Sequence, residues 1–104
     1  MTIKFDDKVV IVTGAGGGLG KSHALEFARR GAKVVVNDLG GSVDGSGGAS
    51  DAANAVVEEI KAEGGEAIAN GASVADQSGV QNMIDEVMSK WGRIDVLVNN
   101  AGIL

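Results

Sequence analysis

Four short apolar runs alternate along the chain with three stretches in which apolar residues return every three or four positions. Lys8-Val-Val-Ile-Val-Thr13 and Lys33-Val-Val-Val-Asn-Asp38 are β-branched through their middles and show no polar alternation, so they predict strands buried on both faces. Glu66-Ala-Ile-Ala-Asn70 predicts a weaker short strand, and Ile94-Asp-Val-Leu-Val-Asn99 a fourth. Between them, Leu19, Ala24, Leu25, Phe27 and Ala28 recur at roughly helical spacing, followed by Arg29, Arg30 and Gly31 as a basic last turn and a stop. Residues 52–63 place Ala53, Val56, Val57 and Ile60 on one helical face, and Gly64-Gly65 ends that helix. Asp76 is positioned to cap a third helix with an apolar stripe of Val80, Met83, Ile84, Val87, Met88 and Trp91, which Gly92 closes. Residues 39–50 hold five glycines in twelve positions and predict a loop.

The order β-α-β-α-β-α-β implies an α/β fold with a parallel sheet and right-handed crossovers. In a doubly wound sheet the fourth strand lies beside the first, giving the spatial order 3-2-1-4 with three covering helices. The 104 residues fit one domain, and neither side of the glycine-rich loop holds enough chain for a core of its own. Apolar residues make up 44% and charged residues 22%, a globular composition. No apolar run approaches the roughly 18 residues of a membrane span.

Charge and rare residue types narrow the chemistry. The absence of cysteine excludes disulfides, thiolate zinc sites and cysteine nucleophiles within these residues. A net charge of −5 without a Lys/Arg cluster argues against nucleic acid or an anionic membrane as partner. Met1-Thr-Ile-Lys-Phe-Asp-Asp7 shows neither an apolar signal core nor an Arg-rich transit pattern, so the expected location is cytoplasmic.

Seventeen glycines are clustered rather than scattered. Thr13-Gly14-Ala-Gly-Gly-Gly18-Leu-Gly20 stands where the first strand becomes the first helix. The opening turn of a helix presents unpaired N–H groups and the positive end of its dipole, which together attract anions. Glycines there allow a tight turn, close approach of a pyrophosphate and packing of helix on strand. The spacing is not G-x-G-x-x-G, which from Gly14 would put a third glycine at Leu19. Asp38, at the end of the next strand, can accept hydrogen bonds from an adenosine ribose and repel a 2′-phosphate. No Lys or Arg precedes Lys21 in the turn or directly follows Asp38, which favours NAD over NADP.

The glycine turn together with Asn99-Asn-Ala-Gly102 resembles the short-chain dehydrogenases/reductases, and the likeness runs the length of the chain. Within that family the chain is most similar in look to the (3R)-hydroxyacyl-CoA dehydrogenase unit of peroxisomal multifunctional enzyme type 2 and its bacterial relatives. That similarity rests on Val35-Val-Asn-Asp-Leu-Gly-Gly41, the loop after it, Val56-Val-Glu-Glu-Ile60, and Gly92-Arg-Ile-Asp95 leading to Ile103-Leu104. The resemblance implies a Rossmann-type doubly wound sheet and an NAD-dependent oxidoreductase acting on a secondary alcohol or ketone such as a 3-hydroxyacyl-CoA. It implies that Gly14, Gly18, Leu19 and Gly20 line the pyrophosphate and neighbouring ribose, and that Asp38 holds the adenosine ribose. Ser73 and Val74 fall where many relatives place Asp-Val beside the adenine. Asn100, Ala101 and Gly102 would close the cofactor floor, with Asn99 tying neighbouring strands.

In the family, hydride transfer also uses a tyrosine, a lysine four residues later, a serine and a further asparagine, all beyond Leu104. The chain contains no tyrosine, and no catalytic residue is assigned in it. His23 reads as a surface or second-layer residue. The expectation is therefore the N-terminal, NAD-binding part of a longer enzyme, inactive alone, whose partners are the dinucleotide, a small-molecule substrate, and either its own missing half or a second copy. Residues 94–99 would otherwise be a bare apolar edge. Two other readings stand beside it: a non-catalytic dinucleotide-binding or edge-strand-pairing module, and a structural fragment. Met83, Met88 and Trp91 are expected in the core. Asp6-Asp7 and the glutamates at 58, 59, 63 and 66 are expected to be solvated.

Overall fold

The computed structural model describes residues 4–38, 51–72 and 76–100. Its elements are β1 (Val9–Thr13), α1 (Gly18–Arg29), β2 (Lys33–Asn37), α2 (Asp51–Ala62), β3 (Glu66–Asn70), α3 (Gln77–Trp91) and β4 (Val96–Val98). The strands form one parallel sheet in the order β3-β2-β1-β4.

The unbroken valine runs have the cause that their pattern predicts. Alternate residues of β1 and β2 face opposite layers, and both layers are covered. Val10, Val12, Val34 and Val36 pack with Leu25 of α1 and with Val56 and Ile60 of α2. Val9, Ile11 and Val35 face the other way, onto Met83 and Val87 of α3. All five residues of β1 are buried. Each fully buried valine or isoleucine contributes roughly 1.5–3 kcal/mol of hydrophobic stabilisation, so this small double core rests on a few β-branched side chains.

Helix ends follow local chemistry. The Asp76 carboxylate accepts a hydrogen bond from the Ser78 backbone N–H (3.1 Å) and caps α3. Gly92 ends α3 in the left-handed conformation, φ 75°. Met88 departs from expectation: it is exposed while Met83 and Val87 are buried. The cause is helical geometry. Met83, Val87 and Trp91 follow one another at i, i+4 on one line, whereas Met88 is about 100° round the helix from Val87. Trp91 is half-buried, and its indole N–H donates to Glu66 (3.0 Å).

Links to β1 continue beyond both ends of β4, and the Asp95 N–H donates to the Val9 carbonyl (2.9 Å). The Asp95 carboxylate accepts from the Val9 N–H (2.8 Å), and Asn99 turns to Thr13. Among the described residues β4 is an edge strand, and its central Leu97 is 61% exposed. Asp6 and Asp7 are exposed, as expected. Glu59 pairs with Lys21 and Glu63 with Arg29, while Glu58 and Glu66 are exposed.

Candidate dinucleotide site

The carboxyl ends of β1, β2 and β4 lie side by side, and the glycine turn crosses them. β1 runs into Gly14, whose φ of 62° is a backbone conformation that side chains disfavour. The Ala15 N–H then donates to the Asn37 carbonyl (2.9 Å), tying the turn to the end of β2.

α1 begins without a side-chain cap. Its N-cap is Gly17 in extended backbone, which makes no side-chain cap hydrogen bond, and the first turn contains no acidic residue. The N–H groups at Gly18, Leu19 and Gly20 therefore retain their capacity for an external acceptor, in contrast with the Asp76-capped α3. Among the described residues, a Cβ at Gly17 or Gly18 would meet nothing within 4 Å, so the space over this end is open there. Leu19 points outward there, 64% exposed, and is not part of the helix's buried face. An uncapped helix start under open space fits a pyrophosphate.

Gly20 does different work. It is buried, and a Cβ there would collide with the Gly14 carbonyl and come within 2.7 Å of the Asn100 amide nitrogen. The missing side chain lets α1 sit directly on the turn and on the segment after β4.

Thr13 joins β1 to that segment. Its hydroxyl is buried, accepts from the Asn100 N–H (2.9 Å) and donates to the Asn99 Oδ1 (3.1 Å), with the Val98 carbonyl at 3.4 Å. Asn99 thus ties neighbouring strands, and Asn100 is held beneath Gly20.

Asp38 is half-buried at the end of β2, beside Gly16 and Ala52 of the α2 first turn. Its backbone is fixed from β3, since its N–H donates to the Asn70 carbonyl (3.0 Å). Asn37, only 2% exposed, donates through its side-chain amide to the Asn70 Oδ1 and to the Ala72 carbonyl, both at 3.0 Å. The Ala72 N–H returns to the Asn70 Oδ1 (2.8 Å), and the Asn70 amide reaches Glu86 (3.2 Å).

Gly14, Gly18, Leu19, Gly20, Asp38 and Asn100 are therefore brought to one end of the sheet. Ser73, Val74, Ala101, Gly102 and the loop 39–50 lie outside the described residues. Thr13, Gly16, Asn37 and Asn70 were missed as site-shaping residues by the sequence reading. A polar residue ending each of three apolar strands was the available signal. His23 is half-buried on α1. A cavity of about 500 Å³ at the opposite end of the sheet is lined by Lys4, Lys33, Glu66 and the paired Arg29 and Glu63. Its balanced acids and bases carry no comparable ligand signature.

Comparison with known proteins fits this geometry. The family model described as short chain dehydrogenase matches residues 8–104. Peroxisomal multifunctional enzyme A of Dictyostelium discoideum is 62% identical over 104 residues, which is all of this chain and 23% of that protein. The crystal structure of a short chain dehydrogenase from Mycobacterium avium superposes with a TM-score of 0.84 at 55% identity, over 95% of this chain and 35% of that one. A 7α-hydroxysteroid dehydrogenase complexed with NADH and 7-oxo glycochenodeoxycholic acid gives a TM-score of 0.81 at 42% identity, over 96% of this chain and 36% of that one. The chain thus spans about a third or less of the length of these proteins.

The cytoplasmic location expected from the N-terminus is corrected by the relatives. The Dictyostelium protein and four others, 54–57% identical, are peroxisomal enzymes by name. Address signals that a receptor reads elsewhere in a chain leave no trace in the N-terminal residues, so those residues do not separate the two compartments. With the family match spanning nearly the whole chain, the protein belongs to the short-chain dehydrogenase family.

Proposed function

We propose that these residues are the NAD-binding, N-terminal part of a short-chain oxidoreductase that moves a hydride between NAD and a secondary alcohol or ketone. The observation that carries this reading is the uncapped α1 N-terminus under open space, with Asp38 at the end of the adjacent strand. Nicotinamide supplies the hydride chemistry; the protein supplies binding, orientation and electrostatics. The first-turn N–H groups at Gly18, Leu19 and Gly20 take the pyrophosphate, and Gly14 provides the tight turn that exposes them. Asp38 takes the adenosine ribose hydroxyls. Ser73 and Val74 flank the adenine, and Asn100, Ala101 and Gly102 form the floor.

NAD is preferred to NADP on charge. The one lysine near the turn, Lys21, is engaged with Glu59 (3.4 Å), and residues 39–50 contain no Lys or Arg. A 2′-phosphate would meet the negative charge of the Asp38 carboxylate. The NADH complex of the 7α-hydroxysteroid dehydrogenase supports a nicotinamide dinucleotide as the ligand class.

The proton-transfer groups come from outside these residues, since the chain has no tyrosine. A 3-hydroxyacyl-CoA is the substrate class that the resemblance favours, and the peroxisomal names of the relatives support a peroxisomal setting. The open edge of β4 is paired in the working protein, by further chain or by a second copy; a stable monomer of the isolated 104 residues at high dilution would count against this. The test of the site is calorimetric titration with NAD, comparing the unaltered protein with Asp38→Ala. A loss of roughly tenfold or more in affinity is expected. Equal affinity would remove Asp38 from the site.

A further inference from the structure

We infer that Gly16 is a positioning residue for Asp38, and that the absence of a side chain at 16 sets the discrimination between NAD and NADP. This deepens the proposed function and rests on its reading of Asp38 as the ribose-binding acid.

Gly16 lies on the glycine turn but is neither of its left-handed residues, since only Gly14 and Gly18 there have positive φ. Backbone conformation therefore does not require glycine at 16. What requires it is Asp38. A Cβ at 16 would overlap the Asp38 Oδ2 and come within 2.7 Å of its Cγ. The added methyl cannot tip aside, because the Ala52 Cβ of α2 stands 3.0 Å away.

Nor can the backbone make room. The Ala15 N–H is bound to the Asn37 carbonyl (2.9 Å), which fixes the turn to β2. The Asp38 N–H is bound to the Asn70 carbonyl (3.0 Å), and Asn37 is locked by its amide to Asn70 and Ala72. What the added methyl would meet is the end of the Asp38 side chain. A methyl at 16 would turn it to another staggered rotamer and carry the carboxylate away from its present place. The fold tolerates this, since the moving group is the short, half-exposed end of a side chain. Ribose recognition does not, because a charge-assisted hydrogen bond depends on where the carboxylate stands. Moving the carboxylate also lowers the repulsion that excludes a 2′-phosphate. NAD binding should weaken while NADP binding holds or improves.

The test is a double-mutant cycle on the intact protein: unaltered, Gly16→Ala, Asp38→Ala and both together, each titrated with NAD and with NADP by calorimetry. The readout is the ratio of the two dissociation constants, because general loosening of the turn weakens both cofactors alike. Gly16→Ala is expected to reduce the preference for NAD by about tenfold, the size of one lost charged hydrogen bond. In the Asp38→Ala background the same methyl should change the ratio by less than about twofold, since coupled residues are non-additive. Melting temperatures without cofactor should show the same coupling. A ratio within about twofold of the unaltered protein in Gly16→Ala overturns the inference, as does an equal shift with and without Asp38. Full NAD preference in Asp38→Ala is a separate failure: it removes the reading of Asp38 itself, and this inference with it.

Discussion

Thr13→Val tests the tie between β1 and the segment that follows β4 at the site floor. Valine keeps the shape and β-branching of threonine, so the strand and its packing survive and no cavity opens. What disappears is one hydroxyl with two roles. It accepts from the Asn100 N–H at 2.9 Å and donates to the Asn99 Oδ1 at 3.1 Å. A neutral hydrogen bond contributes about 1 kcal/mol net, and a buried donor left unpaired costs about 1–3 kcal/mol. Asn99 is exposed, so water replaces most of its share; the Asn100 N–H is partly buried and would face a methyl group. The expected loss is about 2 kcal/mol of unfolding free energy, read as a lower urea midpoint at unchanged slope. Because Asn100 sits against Gly20, NAD affinity should fall as well, by several-fold. Thr13→Ser keeps both hydrogen bonds and should lose only about 1 kcal/mol for its missing methyl. A Thr13→Val protein within about 0.5 kcal/mol of the original, with unchanged NAD affinity, would refute the role of this hydroxyl.

Gly20→Ala drives a methyl into the backbone carbonyl of Gly14, which cannot swing away as a side chain can; about 2–3 kcal/mol of stability should be lost, measured by denaturant titration, together with most NAD binding. The Asp95 carboxyl is held below the usual carboxylate range by hydrogen bonds from Arg93 (2.6 and 2.8 Å) and then from the Val9 N–H (2.8 Å). A lowered folded-state pKa means that its contribution is present above the ordinary aspartate value near 4 and is lost as pH falls through the folded value. Asp95→Asn should therefore reduce stability at neutral pH and flatten the acid limb of a melting-temperature profile below about pH 4; an unchanged profile would count against the Arg93–Asp95–Val9 link.

Much of the architecture was legible because parallel strands covered on both faces leave continuous β-branched runs. Lys33 to Asn37 is such a run, and its bounds came out within one residue. The third strand, with its two alanines, was readable only from its place in the alternation, yet it pairs with β2 over its full length. Met88 was misplaced because apolar type was weighed above angle on the helix. The glycine turn and Asp38 were legible as types at a spacing. The division of labour among the glycines was not. Gly14 answers to φ, Gly20 to a carbonyl across the turn and Gly16 to a carboxylate 22 positions further along the chain. Such contacts are set by strand register, which composition does not carry. Asn37 read as the polar end of a strand, and its role in pinning Asn70 and Ala72 emerges only when β2 and β3 lie side by side.

The proposed site rests on the α1 N-terminus and Asp38 holding a nicotinamide dinucleotide together. A crystal structure of the intact protein grown with NAD tests it most directly. The pyrophosphate is expected about 3 Å from the N–H groups of the first turn of α1, and the adenosine ribose hydroxyls within hydrogen-bonding distance of the Asp38 carboxylate. A dinucleotide whose pyrophosphate lies away from Gly18–Gly20, or whose adenosine ribose does not touch Asp38, would contradict it.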